Sequence, residues 1–131
     1  MPEPQRYKKV LVVDDTAVDR LIAKKIIEKS GFAASVVGVE GGQAALDHLI
    51  ANQDDLPELI FLDINMPLMS GFDFLDEYHK LPEALKKRSV VILSSSLNDI
   101  DKSKASSNPY VINFLSKPLN SEMLEQVLLH L

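Results

Sequence analysis

Leu59-Ile60-Phe61-Leu62-Asp63-Ile64-Asn65-Met66-Pro67 is the stretch on which the reading of the fold turns. Four apolar residues in a row read as a strand buried on both faces, as in a parallel sheet covered by helices on either side. A single carboxylate follows where the run stops, which sets Asp63 at the strand's carboxyl end. In open parallel α/β sheets that edge is where ligands bind, because the crevice outside the strand ends is what the helices leave uncovered. Taken alone, Asp63 reads equally well as the start of a turn, since Asp, Asn and Pro all favour turns.

Upstream, residues 10–13 form a second buried run, Val-Leu-Val-Val, that ends on Asp14-Asp15. Thr16 stands where a helix cap is needed, and Asp19 falls in the first turn, where a negative charge meets the helix dipole favourably. Val18, Leu21, Ile22 and Ile26 then recur at helical spacing until Gly31 stops the run. Residues 34–38 read as a short strand. Gly41-Gly42 leads to a helix in which Ala45, Leu46, Leu49 and Ile50 share a face.

Downstream, residues 66–71 form a loop whose Gly71 permits a tight turn before a helix starting near Phe72, and Pro82 breaks that helix. Residues 83–88 suggest a short helical turn. Residues 89–93 are another buried strand, ended by Ser94-Ser95-Ser96. Residues 98–107 are polar and read as a helix with a weakly buried face, ended by Asn108-Pro109. Residues 110–115 make the fifth strand, closing on Ser116-Lys117-Pro118. A final helix carries Leu124, Val127, Leu128 and Leu131 on one stripe, with Asn120 or Ser121 as its cap. Five alternations of strand and helix imply right-handed crossovers and a doubly wound, five-stranded parallel sheet with five helices.

A chain of 131 residues is one domain by size; residues 1–6, with two prolines, read as a flexible tail before a domain over residues 7–131. The apolar runs are about four residues long, too short for a membrane span, and the amino terminus has no signal-peptide core. The absence of cysteine excludes disulfides and thiolate metal sites and fits a cytoplasmic protein. A net charge of -5 argues against direct nucleic-acid binding, which needs a basic face. His48, His79 and His130 show no ligand spacing, and Met66 and Met69 read as loop and packing residues.

In such a sheet the strand-end groups converge: Asp14 and Asp15 from the first strand, Asp63 from the third, Ser94 from the fourth and Lys117 from the fifth. Three nearby carboxylates raise one another's pKa or demand a cation. An all-oxygen donor set suits a hard ion such as Mg²⁺. A phosphoryl group arriving at Asp63 would meet a metal, an ammonium and a hydroxyl, which is the equipment phosphoryl transfer needs.

These residues carry a resemblance. The chain resembles the receiver domain of bacterial two-component response regulators, single-domain chemotaxis regulators among them, from Lys8 to the end. The matching motifs are Val-Val-Asp-Asp at 12–15, Leu-Asp-Ile-Asn-Met-Pro at 62–67 followed by Gly71, the hydroxyl of Ser94, and Lys117-Pro118. The resemblance implies a flavodoxin-like sheet of order 2-1-3-4-5, with Asp63 as phospho-acceptor, Asp15 as direct Mg²⁺ ligand and Asp14 acting on the metal through water. It implies that the Asn65 backbone carbonyl completes the protein ligands, that Ser94 and Lys117 bind the phosphoryl group, that the Lys117-Pro118 bond is cis, and that Ser94 and Phe114 form the switch. Ser94 stands where threonine is commoner, and Phe114 where tyrosine is commoner. The implied function is a stand-alone phosphorylation switch. It would accept phosphate from a sensor histidine kinase or a histidine phosphotransfer protein and signal to a downstream protein target or pass phosphate on in a relay. Its only chemistry would be its own phosphorylation and dephosphorylation.

The alternative is a Mg²⁺-dependent phosphohydrolase with an aspartyl nucleophile, which Asp-Asp-Thr at 14–16 resembles. Those enzymes place a general acid two residues after the nucleophile, whereas Asp14 is followed there by Thr16 and Asp63 by Asn65. A receiver that only binds partners predicts lost pocket residues, and none is lost. Flavin binding is disfavoured because no phosphate-cradling loop follows the first strand.

Overall fold

The structure is a computed structural model and describes residues 7–86, 89–95 and 98–129. In chain order the elements are β1 (Tyr7–Val13), α1 (Ala17–Lys29), β2 (Ala33–Val39), α2 (Gly42–Ala51), β3 (Leu59–Leu62), α3 (Gly71–His79), a 3₁₀ turn (Glu83–Leu85), β4 (Val90–Ser94), α4 (Asp99–Ser107), β5 (Val111–Ser116) and α5 (Ser121–Leu129). The sheet order is β2-β1-β3-β4-β5 with every pair parallel, as expected. The tail over residues 1–6, Lys87 and Arg88 of the expected turn, Ser96, His130 and Leu131 lie outside the described residues, as does the side chain of Leu128.

All four residues of β3 are buried, which is why the sequence there is a continuous apolar run. Alternate side chains serve opposite layers. Ile60 and Leu62, with Leu11 and Val13, pack against Ala45, Leu49, Phe74, Tyr78 and Ala105 of α2, α3 and α4. Leu59 and Phe61, with Val10 and Val12, pack against Ala23 and Ile27 of α1 and Leu124 and Val127 of α5.

The helices depart from the sequence reading in instructive ways. The buried residues of α1 are Ala23 and Ile27, while Val18, Leu21 and Ile22 of the expected apolar face are exposed, at 62%, 52% and 41%. A polar anchor sets this rotation. Arg20 Nη1 donates to the Asp14 carbonyl at 2.7 Å, and Arg20 lies three and seven residues before Ala23 and Ile27, so those three positions turn inward together. Thr16 occupies the cap position of α1, but its side chain makes no cap bond. In α2, Ala45, Leu46 and Leu49 are buried as expected, and Ile50 is exposed. A capping box, in which Ser70 and Asp73 satisfy each other's backbone N–H groups, starts α3. In α4 only Ala105 is buried, matching the weak face read from the sequence, and the Asn98 side chain caps it. Asn120 accepts from the Met123 N–H at 2.9 Å and so caps α5.

The loop after β3 carries a conformational cost. Leu68 has φ 68° and a fully exposed side chain. A left-handed conformation costs a residue with a Cβ roughly 1–2 kcal/mol, and Asn tolerates it best among non-glycine residues. Leu68→Asn is therefore expected to raise stability by up to about 1 kcal/mol, read as a higher urea midpoint with an unchanged slope. An unmoved midpoint would mean that the leucine side chain makes compensating contacts.

Candidate functional site

Parallel pairing fixes the positions of the strand-end residues. Val13 pairs with Leu62, and the Asp63 N–H donates to the Val13 carbonyl at 3.0 Å, so Asp14 and Asp63 emerge side by side from β1 and β3. On the other side, the Lys117 N–H donates to the Ser94 carbonyl at 2.9 Å, joining the ends of β4 and β5. The Lys117-Pro118 bond is cis, as expected. One carboxylate oxygen from each of Asp14, Asp15 and Asp63 lies within 4.8 Å of the others. Asp14, Asp63 and Ser94 are buried, and Asp15 is exposed.

The hydrogen bonds separate two sets of tasks. Asp63 Oδ1 accepts from the Asn65 N–H at 3.2 Å, and the Asn65 side-chain amide donates to Ser94 Oγ at 3.4 Å. Asp14 Oδ1 accepts from the Thr16 N–H at 2.9 Å, tying the acidic pair to the start of α1. The Lys117 ammonium sits among three carboxylates, at 2.6 Å from Asp14 Oδ2, 2.9 Å from Asp19 Oδ2 and 3.3 Å from Asp63 Oδ2. Sequence reasoning paired Lys117 with a phosphoryl group on Asp63 and gave Asp19 a part only in the helix dipole. Asp19 is the site neighbour that it missed, and nothing in local spacing marks it, because its partner is 98 residues away. Phe114 is partly buried against the core on the α4 side, and a cavity of about 220 Å³ lies against it, bordered by Ser106, Val111, Ile112 and Asn113.

Burial pushes the Asp63 carboxyl above the ordinary aspartate range, outweighing the nearby Lys117 ammonium and the Asn65 N–H, and the Asp14 charge adds to the rise. Burial opposes the charge on Lys117, but its bonds to Asp14 and Asp19 and the fields of Asp63 and Asp14 prevail, raising it above the ordinary lysine value. The sign for stability follows from the direction at Asp63. Well below the ordinary aspartate pKa of about 4, Asp63 is protonated both folded and unfolded, and its ionisation costs the fold nothing. As pH rises from that value through the raised folded pKa, the unfolded chain ionises first and the fold loses relative stability. Asp63→Asn is therefore expected to melt above the wild type at pH 7, with the gap closing as pH falls through that window. A gap independent of pH would contradict the raised pKa.

The sequence pattern of the response regulator receiver domain matches residues 10–129. The chain belongs to that family. It is 32% identical to the probable methanogenesis regulatory protein FilR2 of Methanothrix harundinacea, covering 89% of this chain and 76% of that one. It is 35% identical to protein-glutamate methylesterase/protein-glutamine glutaminase 3 of Burkholderia thailandensis, covering 87% of this chain but only 31% of that protein. Among solved structures, a two component response regulator from Cytophaga hutchinsonii superposes with a TM-score of 0.88 at 29% identity, covering 95% of this chain and 96% of that one. A response regulator receiver protein from Dyadobacter fermentans gives 0.82 at 36% identity, covering 92% and 94%. The receiver fold is flavodoxin-like, in the strand order found here. Accepting a phosphoryl group is what this receiver family does, as a signalling switch that works with histidine kinases and downstream targets. Among the described residues, no helix of the receiver is long and apolar enough to cross a membrane.

Proposed function

We propose that this receiver takes a phosphoryl group from a protein phosphohistidine onto Asp63, with Mg²⁺ held by the acidic cluster, and that the phosphorylated form signals through protein contacts in the cytoplasm. The observation that carries the reading is the setting of Asp63. It is a buried carboxylate at the end of β3, with an ammonium 3.3 Å from one oxygen and two further carboxylates close enough to share a cation.

The donor set fits the metal. Asp14, Asp15 and Asp63 offer hard oxygens and no competing soft ligand, and Asp15 is open to a partly hydrated ion. Asp15 and Asp63 would hold Mg²⁺ directly with the Asn65 carbonyl, and Asp14 would act through water. When bound, the ion offsets negative charge on the oxygens around phosphorus. The remaining work falls to the chain's own groups. An Asp63 oxygen attacks phosphorus, and the P–N bond breaks with its electron pair staying on nitrogen. The donor imidazole, protonated at its other nitrogen, leaves neutral. Lys117 and Ser94 receive the charge of the new acyl phosphate, and Phe114 repacks beside the cavity at β5 as Ser94 is drawn toward it.

Intact mass after incubation with Mg²⁺ and phosphoramidate tests the reading. We expect a gain of one phosphoryl group per chain, prevented by chelating the metal. No gain would sink the reading, as would continuing hydrolysis of external phosphoesters, the behaviour of a phosphohydrolase.

A further inference from the structure

We propose that Asp19 is a positioning residue that holds one N–H of Lys117 in the unphosphorylated protein and gives it up when a phosphoryl group occupies Asp63. The inference rests on the phospho-acceptor reading of Asp63. It begins with a count of donors. An ammonium has three N–H groups, and the three carboxylates around Lys117 Nζ are enough to engage all of them. The lysine side chain is only 12% exposed, so water makes a small contribution to its solvation.

A phosphoryl group at Asp63 upsets that arrangement. It brings about two negative charges and three acceptor oxygens, and it removes the charge of the carboxylate oxygen to which it is joined. The ammonium is drawn toward phosphorus, and one of its existing bonds must lengthen. Asp14 is only 4% exposed, already accepts from Thr16 and is tied to Lys117 at the shortest distance, so leaving it would strand a buried charge. Asp19 is 37% exposed and can exchange the ammonium for water. A cavity of about 270 Å³, bordered by Asp19, Ile22, Ala23, Leu93 and Lys117, gives both side chains room to part.

The location of Asp19 gives the exchange a structural consequence. Asp19 lies in the first turn of α1, and Lys117 follows β5, so their bond straps the start of α1 to the β5–α5 corner. Phosphorylation would release that strap and report the state of Asp63 to a helix whose outer face exposes Val18, Leu21 and Ile22.

The test compares wild type, Asp19→Asn and Asp19→Ser in their affinity for beryllofluoride with saturating Mg²⁺, a phosphoryl mimic that needs no donor protein. A variant without the Asp19 charge has less to surrender and should bind the mimic roughly two- to fivefold more tightly, the scale of a half-exposed ion pair. Removing any nearby negative charge would also favour an anion, so the double variant Val18→Asp/Asp19→Asn puts a carboxylate back on the same turn at a position that is 62% exposed. Retained tight binding in the double variant supports the direct exchange. Reversal to wild-type affinity overturns it, as does an unchanged or weakened affinity in the single variants. Before any ligand is added, the Lys117 ammonium protons should exchange with water faster in Asp19→Asn than in wild type; equal exchange would mean that the bond is not a restraint. Wild type that binds no beryllofluoride at all would bring down the phospho-acceptor reading itself, and the Asp19 exchange with it.

Discussion

Asp63→Asn is expected to abolish phosphorylation by a small phosphodonor while leaving the chain folded. The amide keeps the size and shape of the side chain but lacks the nucleophilic oxygen pair. It sits where a carboxylate already carries a burial cost, so the fold does not suffer. Among the described residues, the neighbouring groups are not equipped to substitute. Both oxygens of Asp14 are engaged, one by the Thr16 N–H and the other by Lys117 at 2.6 Å, and Asp15 is exposed. Ser94 is a buried hydroxyl that accepts from the Asn65 side-chain amide at 3.4 Å, and an un-ionised serine is a weak nucleophile. Intact mass with time decides the matter. Incorporation at the wild-type rate would move the acceptor elsewhere, and fragment masses would then say where.

The reach of the sequence differed from one part of the molecule to another for physical reasons. β1 and β3 were legible as runs because both faces of their sheet are covered, so nearly every position must be apolar. From there the parallel-sheet geometry brought Asp14, Asp15, Asp63, Ser94 and Lys117 to one edge, and the structure gathers them there. The inner face of α1 was legible only at Ile26, which packs partly buried against the core, while Val18, Leu21 and Ile22 are exposed. Its apolar residues are spread around the helix, and the choice among faces is made by a tertiary bond from Arg20 to the Asp14 carbonyl. Asp19 was missed for a related reason, since its role depends on a partner at the far end of the chain. The capping box of α3 was a different case, because Ser70 and Asp73 stand at the spacing that marks a helix start and could have been read directly.

Gly71 shows how a residue can be singled out for the wrong reason and still govern the site. Sequence reasoning valued it for turn flexibility, yet Gly71 is not among the positive-φ glycines of the described chain. Its importance is proximity. A Cβ at Gly71 would lie 2.6 Å from the Asp63 carbonyl oxygen and 2.8 Å from Ile64 Cα, both backbone atoms that cannot swing aside. The Gly71 N–H also donates to the Ile64 carbonyl at 2.8 Å, so the start of α3 is clamped directly onto the end of β3. Gly71→Ala must therefore push Asp63 and α3 apart. Overpacking of this kind costs roughly 1–3 kcal/mol, and a displacement of about 1 Å at a reacting group can cost on the order of a hundredfold in rate. We expect Gly71→Ala to lower the thermal midpoint by several degrees and to slow phosphoryl incorporation from phosphoramidate at least about tenfold, even at temperatures where it is fully folded. Gly41→Ser provides the contrast: no atom lies within 4 Å of a Cβ there, the backbone is extended, and serine is a good cap for α2, so both measurements should stay near wild type. If Gly71→Ala lost stability but kept its rate, the clamp would hold the helix without positioning Asp63; if it kept both, the loop after β3 must yield more easily than its backbone contacts imply.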